Sequence, residues 1–390
     1  MKYFYALNLL TILLVRCSSF QPEKNKIPVI DIENMIENNQ EIPASDVVSN
    51  ITYTPLQTNN KCFIRYISKA LFTKDYILIN NNNKELYCFN YDGQFVKQIG
   101  REGRGPGEFN EIIDIAFNES LNNIYILSSN TQIDVFSLEG KYLKSLKIDS
   151  EAPGTIASID NFIVINNNND AGKATYRYVI YNTDGELISR FENPYHFDSK
   201  SGIFSMLHEC FFYEINSKLF VKDFHSDTIY SISSDNFSPE IVLQTGKYAI
   251  TPQVRSTKEF VMDGSKNIMF TNILESKNKL YVKFRYDKKT YTLLMDKTTK
   301  KNISPVFLSN NKYNSFDGGI EIKPSFYFLH NNTEYFVQTF FPYELKTYIL
   351  SDDFKSSTPK YPEKKKQLEE LANSLDENDN PVLMLVKLKE

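Results

Sequence analysis

The stretch DYILINNNNKELYCFNYDGQFVKQIG, residues 75–100, decides the fold of this chain. Apolar and polar residues alternate within it, as at Ile77 and Ile79, which is the period-two pattern of a β-sheet. Its run of asparagines and its Asp-Gly pair favour positive φ angles, so they mark tight turns. The stretch therefore predicts three short antiparallel strands joined by two hairpins.

The same unit recurs along the chain. Two clear copies and two weaker ones follow it, at 122–148, 161–191, 217–246 and 278–304. The turn glycines Gly93, Gly140 and Gly185 are separated by 47 and 45 residues. Repeats of this length built from four short strands are typical of β-propeller blades, because one such sheet cannot bury both of its faces alone.

The length of the repeated region predicts six blades. Residues 50–304 hold about five and a half units of this size, and the C-terminal region supplies the remaining strands. In each unit the innermost strand is expected to precede the hairpins. We assign innermost strands to residues 62–67, 111–117 and 266–274.

The two ends of this region are predicted to share the last blade. Residues 51–56 and 382–388 both have strand patterns but lack a hairpin partner nearby, and pairing them would close the ring. Apolar residues at helical spacing predict a short helical insertion in this blade at about 362–376, covering part of one face. The predicted fold class is an all-β, six-bladed β-propeller over residues 50–390, closed by its N- and C-terminal strands.

The N-terminus predicts the location of the protein. Residues 1–17 carry an apolar run of about ten residues, which suits a signal peptide and is too short to span a membrane. The run ends at Arg16 and Cys17, and a cysteine there resembles the lipobox of bacterial lipoproteins. A small residue is usual before that cysteine, so Arg16 keeps a plain secretory signal as an alternative. We predict a lipid on Cys17, a tether over 18–49 and attachment to the outer membrane of the cell envelope.

The composition narrows the classes of function. A chain with 41% hydrophobic and 24% charged residues is typical of a globular protein. It has 44 Lys and Arg against 48 Asp and Glu, and the net charge of −4 argues against nucleic-acid binding. No spacing of cysteine or histidine matches a metal site, so neither a metal nor another cofactor is predicted. Three cysteines in strand-like contexts are predicted to be small buried side chains: Cys62, Cys88 and Cys210.

Two further stretches carry a resemblance to a known family. They are IGREGRGPGEFNEIIDIAF at 99–117 and the ending DNPVLMLVKLK at 379–389, in a chain with a lipobox-like Cys17. Together with the blade turns, they resemble the six-bladed β-propeller lipoproteins of Bacteroidota, relatives of the NHL-type propellers. The resemblance spans about 45–390 and implies an exported, membrane-tethered propeller, but it names no substrate.

Propeller topology predicts where a ligand would bind. The crossovers between blades and the turns between second and third strands gather on one face, around the mouth of the central channel. From these loops we select charged and aromatic candidates for ligand binding: Arg101, Arg104, Tyr195, His196, Asp198, Arg255 and Asp317. The glycine-rich run 101–109 lacks the Gly-Lys-Ser/Thr of a phosphate loop and continues into a strand. It is therefore expected to be a tight crossover with Phe109 packed between blades.

Three functions are consistent with these observations. The first is a non-catalytic binding or scaffold module for a glycan, peptide or partner protein, using aromatic and arginine side chains. The alternative is a carbohydrate-active lyase or hydrolase with residues on the channel-mouth loops, and the third is a purely structural propeller. No pattern assigns a catalytic residue, so the sequence leaves enzymatic activity open and favours binding.

Overall fold

The structure is a computed structural model that describes residues 27–38, 41–199, 209–297, 306–308 and 313–389. Its six small sheets form a ring, which confirms the predicted six-bladed β-propeller. We number the blades 1 to 6 along the chain and name the strands of each blade a to d from the channel outward. The predicted signal peptide and its Cys17 lie outside the described residues.

Blades 1 to 3 each contain four antiparallel strands in chain order. Blade 1 consists of Ile67–Phe72, Ile77–Asn81, Glu85–Phe89 and Phe95–Ile99. Blade 2 consists of Asp114–Asn118, Asn123–Ser129, Gln132–Ser137 and Tyr142–Lys147. Blade 3 consists of Pro153–Ile159, Phe162–Asn167, Tyr176–Asn182 and Leu187–Glu192.

Blades 4 and 5 each gain a fifth strand from the N-terminal region. Blade 4 consists of Cys210–Ile215, Lys218–Asp223, Thr228–Ile232 and Phe237–Gln244. Blade 5 consists of Met269–Glu275, Lys279–Tyr286, Lys289–Asp296 and Val306–Leu308. Val29–Asp31 pairs in parallel with strand d of blade 4, and Glu41–Ile42 pairs in parallel with strand d of blade 5. Residues of the predicted tether therefore cover the outer edges of two blades.

Blade 6 closes the ring with both ends of the chain. Its strands from the channel outward are Phe326–His330, Thr333–Phe340, Val382–Leu388 and Val48–Pro55. The last two pair antiparallel, from Val382 opposite Pro55 to Leu388 opposite Val48. This register confirms the predicted closure.

The insertion between strands b and c of blade 6 contains more helix than predicted. Pro362–Ser374 matches the predicted helix, and two further helices precede it, Pro342–Leu350 and Asp352–Ser356. The first of these begins at a proline in its first turn, and the Glu344 carboxylate accepts a hydrogen bond from the Phe341 N–H at 2.7 Å. The helix Pro342–Leu350 is so short that its apolar residues do not repeat often enough for the sequence pattern to predict it.

The prediction of an innermost strand at residues 62–67 is wrong. Strand a of blade 1 begins only at Ile67, and the residues before it form a crossover from blade 6 to blade 1. The N–H groups of Ile64 and Arg65 donate hydrogen bonds to the side chains of Asn380 and Asn81 instead of to a neighbouring strand. The other two assigned innermost strands are displaced by a few residues and begin at Asp114 and Met269.

The core is divided into layers between neighbouring blades. Alternate residues of a strand face opposite neighbours: Ile77 and Ile79 pack toward blade 6, whereas Leu78 packs toward blade 2. The three described cysteines are buried, as predicted, and none of them forms a disulfide: Cys62, Cys88 and Cys210. Burial raises the pKa of Cys88 to about 11, so it stays a thiol at neutral pH.

Antiparallel strands give the ring two distinct faces. The turns between strands b and c and the crossovers from strand d to the next strand a lie on one, which we call the crossover face. The a–b and c–d turns lie on the other, the hairpin face. Smaller helices also occur on crossovers and near the N-terminus: Ile32–Glu37, Ala44–Val47, Pro252–Arg255 and Lys258–Met262. Within the described ranges, no helix combines the length and the apolar character needed to cross a membrane.

Candidate ligand-binding face

Four of the crossover-face segments meet at a buried group of charges between blades 3, 4 and 5. Its members come from strands and loops far apart in sequence, and we call them the interblade charge cluster: Arg177, Glu209, Asp223, His225 and Arg255. Their side chains are at most 4% exposed. Charges buried to this degree need partners, because an unpaired ion in the interior is costly.

Arg177 joins blade 3 to blade 4. Its Nε donates to Asp223 Oδ2 at 2.6 Å, and its Nη1 donates to Glu209 Oε2 at 2.8 Å. The Tyr178 hydroxyl also donates to Asp223 Oδ2, at 2.7 Å. Burial alone would raise the pKa of Asp223, but the charge of Arg177 and the His225 ring hold it far below its usual value. Asp223 is therefore a permanent anion at neutral pH.

Arg255 extends the cluster to the crossover between blades 4 and 5. Its Nη2 lies 2.5 Å from Glu209 Oε1 and 3.3 Å from Asp170 Oδ1. Its Nη1 lies 3.2 Å from Nε2 of His225. Since a guanidinium only donates, this nitrogen of His225 must accept, and the ring is neutral with its proton on Nδ1. Burial is the main cause of the lowered pKa of His225 and keeps the ring in that form.

Aromatic rings enclose the solvent side of the cluster. Phe197 and Phe224 each place a ring centroid 5.2 Å from the Arg255 guanidinium carbon. Tyr195 stacks on His225 with the centroids 5.1 Å apart. The crossover 193–199 is thus tied to the same charges as the loops that carry Asp170 and Arg255.

The structure brings some of the predicted site residues together. Tyr195, His196 and Asp198 share one crossover, and Tyr195 reaches Arg255 through the ring of His225. His196 and Asp198 are exposed, whereas Arg255 is 1% exposed and cannot touch a ligand in this conformation. Their assignment to ligand binding stays a prediction.

The glycine-rich run forms a loop that binds its own carboxylate. Glu108 Oε2 accepts hydrogen bonds from the backbone N–H groups of Arg104 and Gly105, at 3.1 and 2.9 Å. Its Oε1 accepts from Nε of Arg101 at 2.7 Å. The N–H groups of Arg104 and Gly105 and the Arg101 guanidinium are therefore bound to the loop's own carboxylate, and both arginine side chains are exposed. Phe109 is buried between blades 1 and 2, as expected.

Asp317, the remaining candidate, is separated from the others. It is fully buried on the crossover between blades 5 and 6, where it accepts from the Tyr53 hydroxyl at 2.8 Å and the Gly319 N–H at 2.9 Å. The insertion packs over this crossover, with the rings of Phe316 and Tyr361 4.5 Å apart. Asp317 therefore links this crossover to strand d of blade 6.

Two other features of this face were missed by the sequence analysis. In the channel wall, Lys69 of blade 1 pairs with Asp114 of blade 2 at 2.8 Å, and Asp114 accepts from the Ile156 N–H of blade 3. On the crossover from blade 6 to blade 1, Phe63 and Tyr66 are 48% and 57% exposed. The spacing of Phe63 and Tyr66 did not indicate that they are exposed, because the segment 62–67 has the alternating pattern of a strand.

Among the described residues, no group of three or more histidine, cysteine or acidic side chains is placed to hold a metal ion.

The sequence matches one known family over most of its length. The profile described as a domain of unknown function, DUF4934, covers residues 27–387. A search of curated proteins finds no match.

Solved structures share the fold. A Bacteroides fragilis NCTC 9343 protein named as an exported protein superposes with a TM-score of 0.70 at 18% identity, over 90% of this chain and 98% of that chain. A protein of unknown function from Bacteroides caccae gives a TM-score of 0.39 at 12% identity, over 68% of this chain and 82% of that chain. The first likeness confirms the fold that the family resemblance implied.

Proposed function

This chain belongs to the DUF4934 family, and from that membership and the geometry of the crossover face we propose that it is an exported, lipid-anchored propeller that binds a glycan without catalysis. The observation that carries the proposal is the interblade charge cluster. It holds four loops of the crossover face together, and its own charges are closed to solvent. Loops held rigid before binding lose little conformational entropy when a ligand arrives.

The cluster supports binding better than catalysis. A glycoside hydrolase needs one carboxyl group with a raised pKa as general acid. Glu209 does not meet this need: burial alone would raise its pKa, but Arg177 and Arg255 hold it below its usual value. Asp223 is held low in the same way, so both carboxylates serve as partners of arginines.

The lyase alternative has one observation in its favour. His225, Tyr195 and Arg255 converge, and a base beside a carboxylate-binding arginine is a reasonable arrangement for removing a proton next to a uronic acid group. Against it, the side chains of His225 and Arg255 are at most 1% exposed and are engaged with each other. The same binding experiment separates the two functions.

The experiment uses the soluble chain from Gln21 onward, which keeps every described residue. It is incubated with a panel of polysaccharides, and both retention and release of shortened products are measured. We expect retention without products, and His196→Ala should weaken binding because its side chain is exposed on the anchored crossover. Lys141→Ala, an exposed position on the hairpin face, is the matched control. Product release that His225→Ala abolishes would establish the lyase instead.

Anchoring at the envelope is tested separately. The signal-like residues 1–17 support it, and the related Bacteroides fragilis fold belongs to a protein named as exported. Expressed in a Bacteroidota host, the wild-type protein should sediment with membranes and carry acyl chains on Cys17 by mass spectrometry. Cys17→Ser should move it to the soluble fraction, since two or more acyl chains are needed for stable attachment. A wild-type protein that stays soluble after export would favour the plain secretory signal.

A further inference from the structure

The crossover from blade 6 to blade 1 presents two aromatic rings and a cation to solvent. Phe63 is 48% exposed, Tyr66 is 57% exposed, and Arg65 between them is exposed as well. We call these three residues the aromatic platform. Isolated exposed hydrophobic residues are normal on protein surfaces. Among the described residues, however, only three phenylalanine and tyrosine side chains are strongly exposed. Two of the three lie on this segment.

Buried asparagines hold the backbone of the platform in place. Asn81 Oδ1 accepts from the Arg65 N–H at 2.9 Å, and its Nδ2 donates to the Phe63 carbonyl at 3.0 Å. Asn380 Oδ1 accepts from the Ile64 N–H at 2.7 Å. Both amides are at most 1% exposed. The segment is therefore fixed by side chains that come from strand b of blade 1 and from the end of the insertion.

The buried neighbours on the segment set the direction of the platform. Cys62 and Ile64 are each 1% exposed and pack into the core between blades 6 and 1. Phe63 and Arg65 alternate with them and are exposed, so the side chains of Phe63 and Arg65 point away from the core. A rigid segment that turns aromatic side chains outward is preorganised for stacking, because no ordering of the backbone accompanies binding.

Three exposed cations and one half-buried carboxylate surround the platform. The carboxylate is Glu85, which accepts a hydrogen bond from Asn81 Nδ2 at 2.6 Å. Lys61 is exposed on the same segment, and Lys84 is exposed on the b–c turn of blade 1. That turn touches the platform, where the Asn82 N–H donates to the Tyr66 carbonyl at 2.8 Å. Neither lysine nor Arg65 forms an ion pair with any described residue. In a chain with a net charge of −4, these cations make a local site for an anion.

The chemistry of the platform fits an acidic polysaccharide best. The C–H groups of a sugar ring carry partial positive charge and pack on the negative face of an aromatic ring. Arg65 can form a bidentate pair with a uronic acid carboxylate. A protein partner would need about 800 Å² of continuous surface, whereas here two rings are set among polar residues. A single-stranded nucleic acid would also stack on exposed aromatic rings, so it serves as a competing probe in the test.

We propose that the aromatic platform of Phe63, Arg65 and Tyr66 is a subsite for an acidic polysaccharide chain. The proposal rests on the proposed glycan-binding function and adds the class of glycan and the residues that recognise it. Stacking of sugar rings on Phe63 and Tyr66 would set the path of the polysaccharide across the crossover face. The nearby cations would favour a polysaccharide that carries carboxylates over a neutral one.

The test compares polygalacturonate with its methyl-esterified form, which has the same sugar rings without the charges. Binding to the chain from Gln21 onward is measured by calorimetry at low salt, with dextran and single-stranded DNA as further probes. We expect the wild type to prefer polygalacturonate at least tenfold over the ester. Phe63→Ala and Tyr66→Ala should each weaken binding of both forms about tenfold, and Arg65→Gln should remove the preference.

The controls separate this proposal from the function on which it rests. Leu121→Ala, 44% exposed on the hairpin face, should bind like the wild type. Because the platform side chains are exposed, the variants should unfold at the wild-type denaturant midpoint. If the wild type binds a glycan and the three platform variants bind it equally well, the platform is overturned and the proposed function stands. If the wild type binds DNA or no polysaccharide, both are overturned.

Discussion

At the scale of single residues, two arginines of blade 3 show how burial changes the contribution of an ion pair to the stability of the fold. Arg177 and Arg190 both pair with carboxylates, but Arg177 is 1% exposed, whereas Arg190 is 32% exposed and its partner Asp149 is 88% exposed. Surface pairs contribute little because water screens them. Breaking a buried pair leaves an uncompensated charge in the interior.

We therefore expect Arg177→Met to lower the free energy of unfolding by about 3–5 kcal/mol, because Asp223 and Glu209 lose their shared partner. Arg190→Met, the matched control, should lower it by about 1 kcal/mol at most. Urea denaturation followed by circular dichroism measures both. Equal stabilities of the two variants would show that the interblade charge cluster contributes nothing to the fold.

Lys222 is a second residue whose burial has a measurable consequence. The residue is 1% exposed, and its ammonium donates to the Asp223 carbonyl at 2.9 Å and lies 4.1 Å from the centroid of the Phe270 ring. No carboxylate of the described residues lies within ion-pair distance of it. Burial lowers the pKa of this lysine to about 8, compared with about 10.4 in an unfolded chain.

This difference predicts a stability that rises with pH. Between pH 8 and the unfolded pKa, the unfolded chain binds more protons at Lys222 than the folded chain, so the free energy of unfolding increases as pH rises. Urea denaturation from about pH 7.5 to 9.5 should show this rise in the wild type. Lys222→Met lacks the titrating group and should show a flatter dependence. A parallel pH dependence in the two proteins would contradict the assignment.

At the scale of the elements, one hairpin turn is tied to the closure of the ring. Gly93 joins strands c and d of blade 1 with φ +79°, and a Cβ built there would lie 2.1 Å from the Pro55 carbonyl oxygen of blade 6. Gly140 occupies the same turn in blade 2 with φ +87°, and the nearest atom to its Cβ would be 3.6 Å away. The two turns share their conformation but not their surroundings.

This pair separates backbone strain from steric overlap. Gly140→Ala should cost about 1 kcal/mol, the strain of a left-handed conformation for alanine. Gly93→Ala should cost clearly more, because the new methyl group also displaces backbone of the neighbouring blade. Thermal unfolding of the two variants measures the difference. Equal melting temperatures would mean that the contact between Gly93 and Pro55 relaxes without cost.

The elements also show what the sequence could and could not predict. The hairpins were predictable because alternation and turn residues act over a few neighbours, as at Asn82 and Asn83, which both adopt positive φ. The segment 62–67 alternates in the same way, with Cys62 and Ile64 inward, so its pattern is that of a strand. Its hydrogen bonds instead reach Asn81 and Asn380, 16 and 316 residues away, and no local pattern reports such partners.

The same limit applies to the candidate site. Topology correctly located the crossovers on one face, but exposure could not be read from residue type. Arg255 and Asp317 were chosen as charged loop residues and are buried, whereas Phe63 and Tyr66 have the residue types of a core and are exposed. The partners of Arg177 lie 32 and 46 residues away in the next blade, so the cluster exists only once the blades are stacked.

At the scale of the whole molecule, closure depends on the last strand. Val382–Leu388 lies between strand b of blade 6 and Val48–Pro55, and it is bonded to both. A chain that ends before Val382 would leave Val48–Pro55 unpaired and would expose the core between blades 5 and 6. An open ring loses the mutual burial on which every blade depends.

We therefore expect truncation before Val382 to abolish cooperative unfolding and to make the chain sensitive to protease. Truncation after Leu388 removes two residues outside the strand and is the control. It should remain folded, with a small loss from the Lys389 contacts to Ser45 and Asp46. Limited proteolysis and urea denaturation measure both chains. A wild-type midpoint for the shorter chain would show that the ring does not need its closing strand.

The parallel strand Val29–Asp31 fixes the N-terminal part of the described chain to the outer edge of blade 4. It pairs with Val242, Leu243 and Gln244, the last residues of Phe237–Gln244, so it lies at the end of that strand nearest the crossover face. Ile27 follows Cys17 by ten residues, which span at most about 35 Å when fully extended. A lipid on Cys17 would therefore hold the outer edge of blade 4 within that distance of the membrane surface.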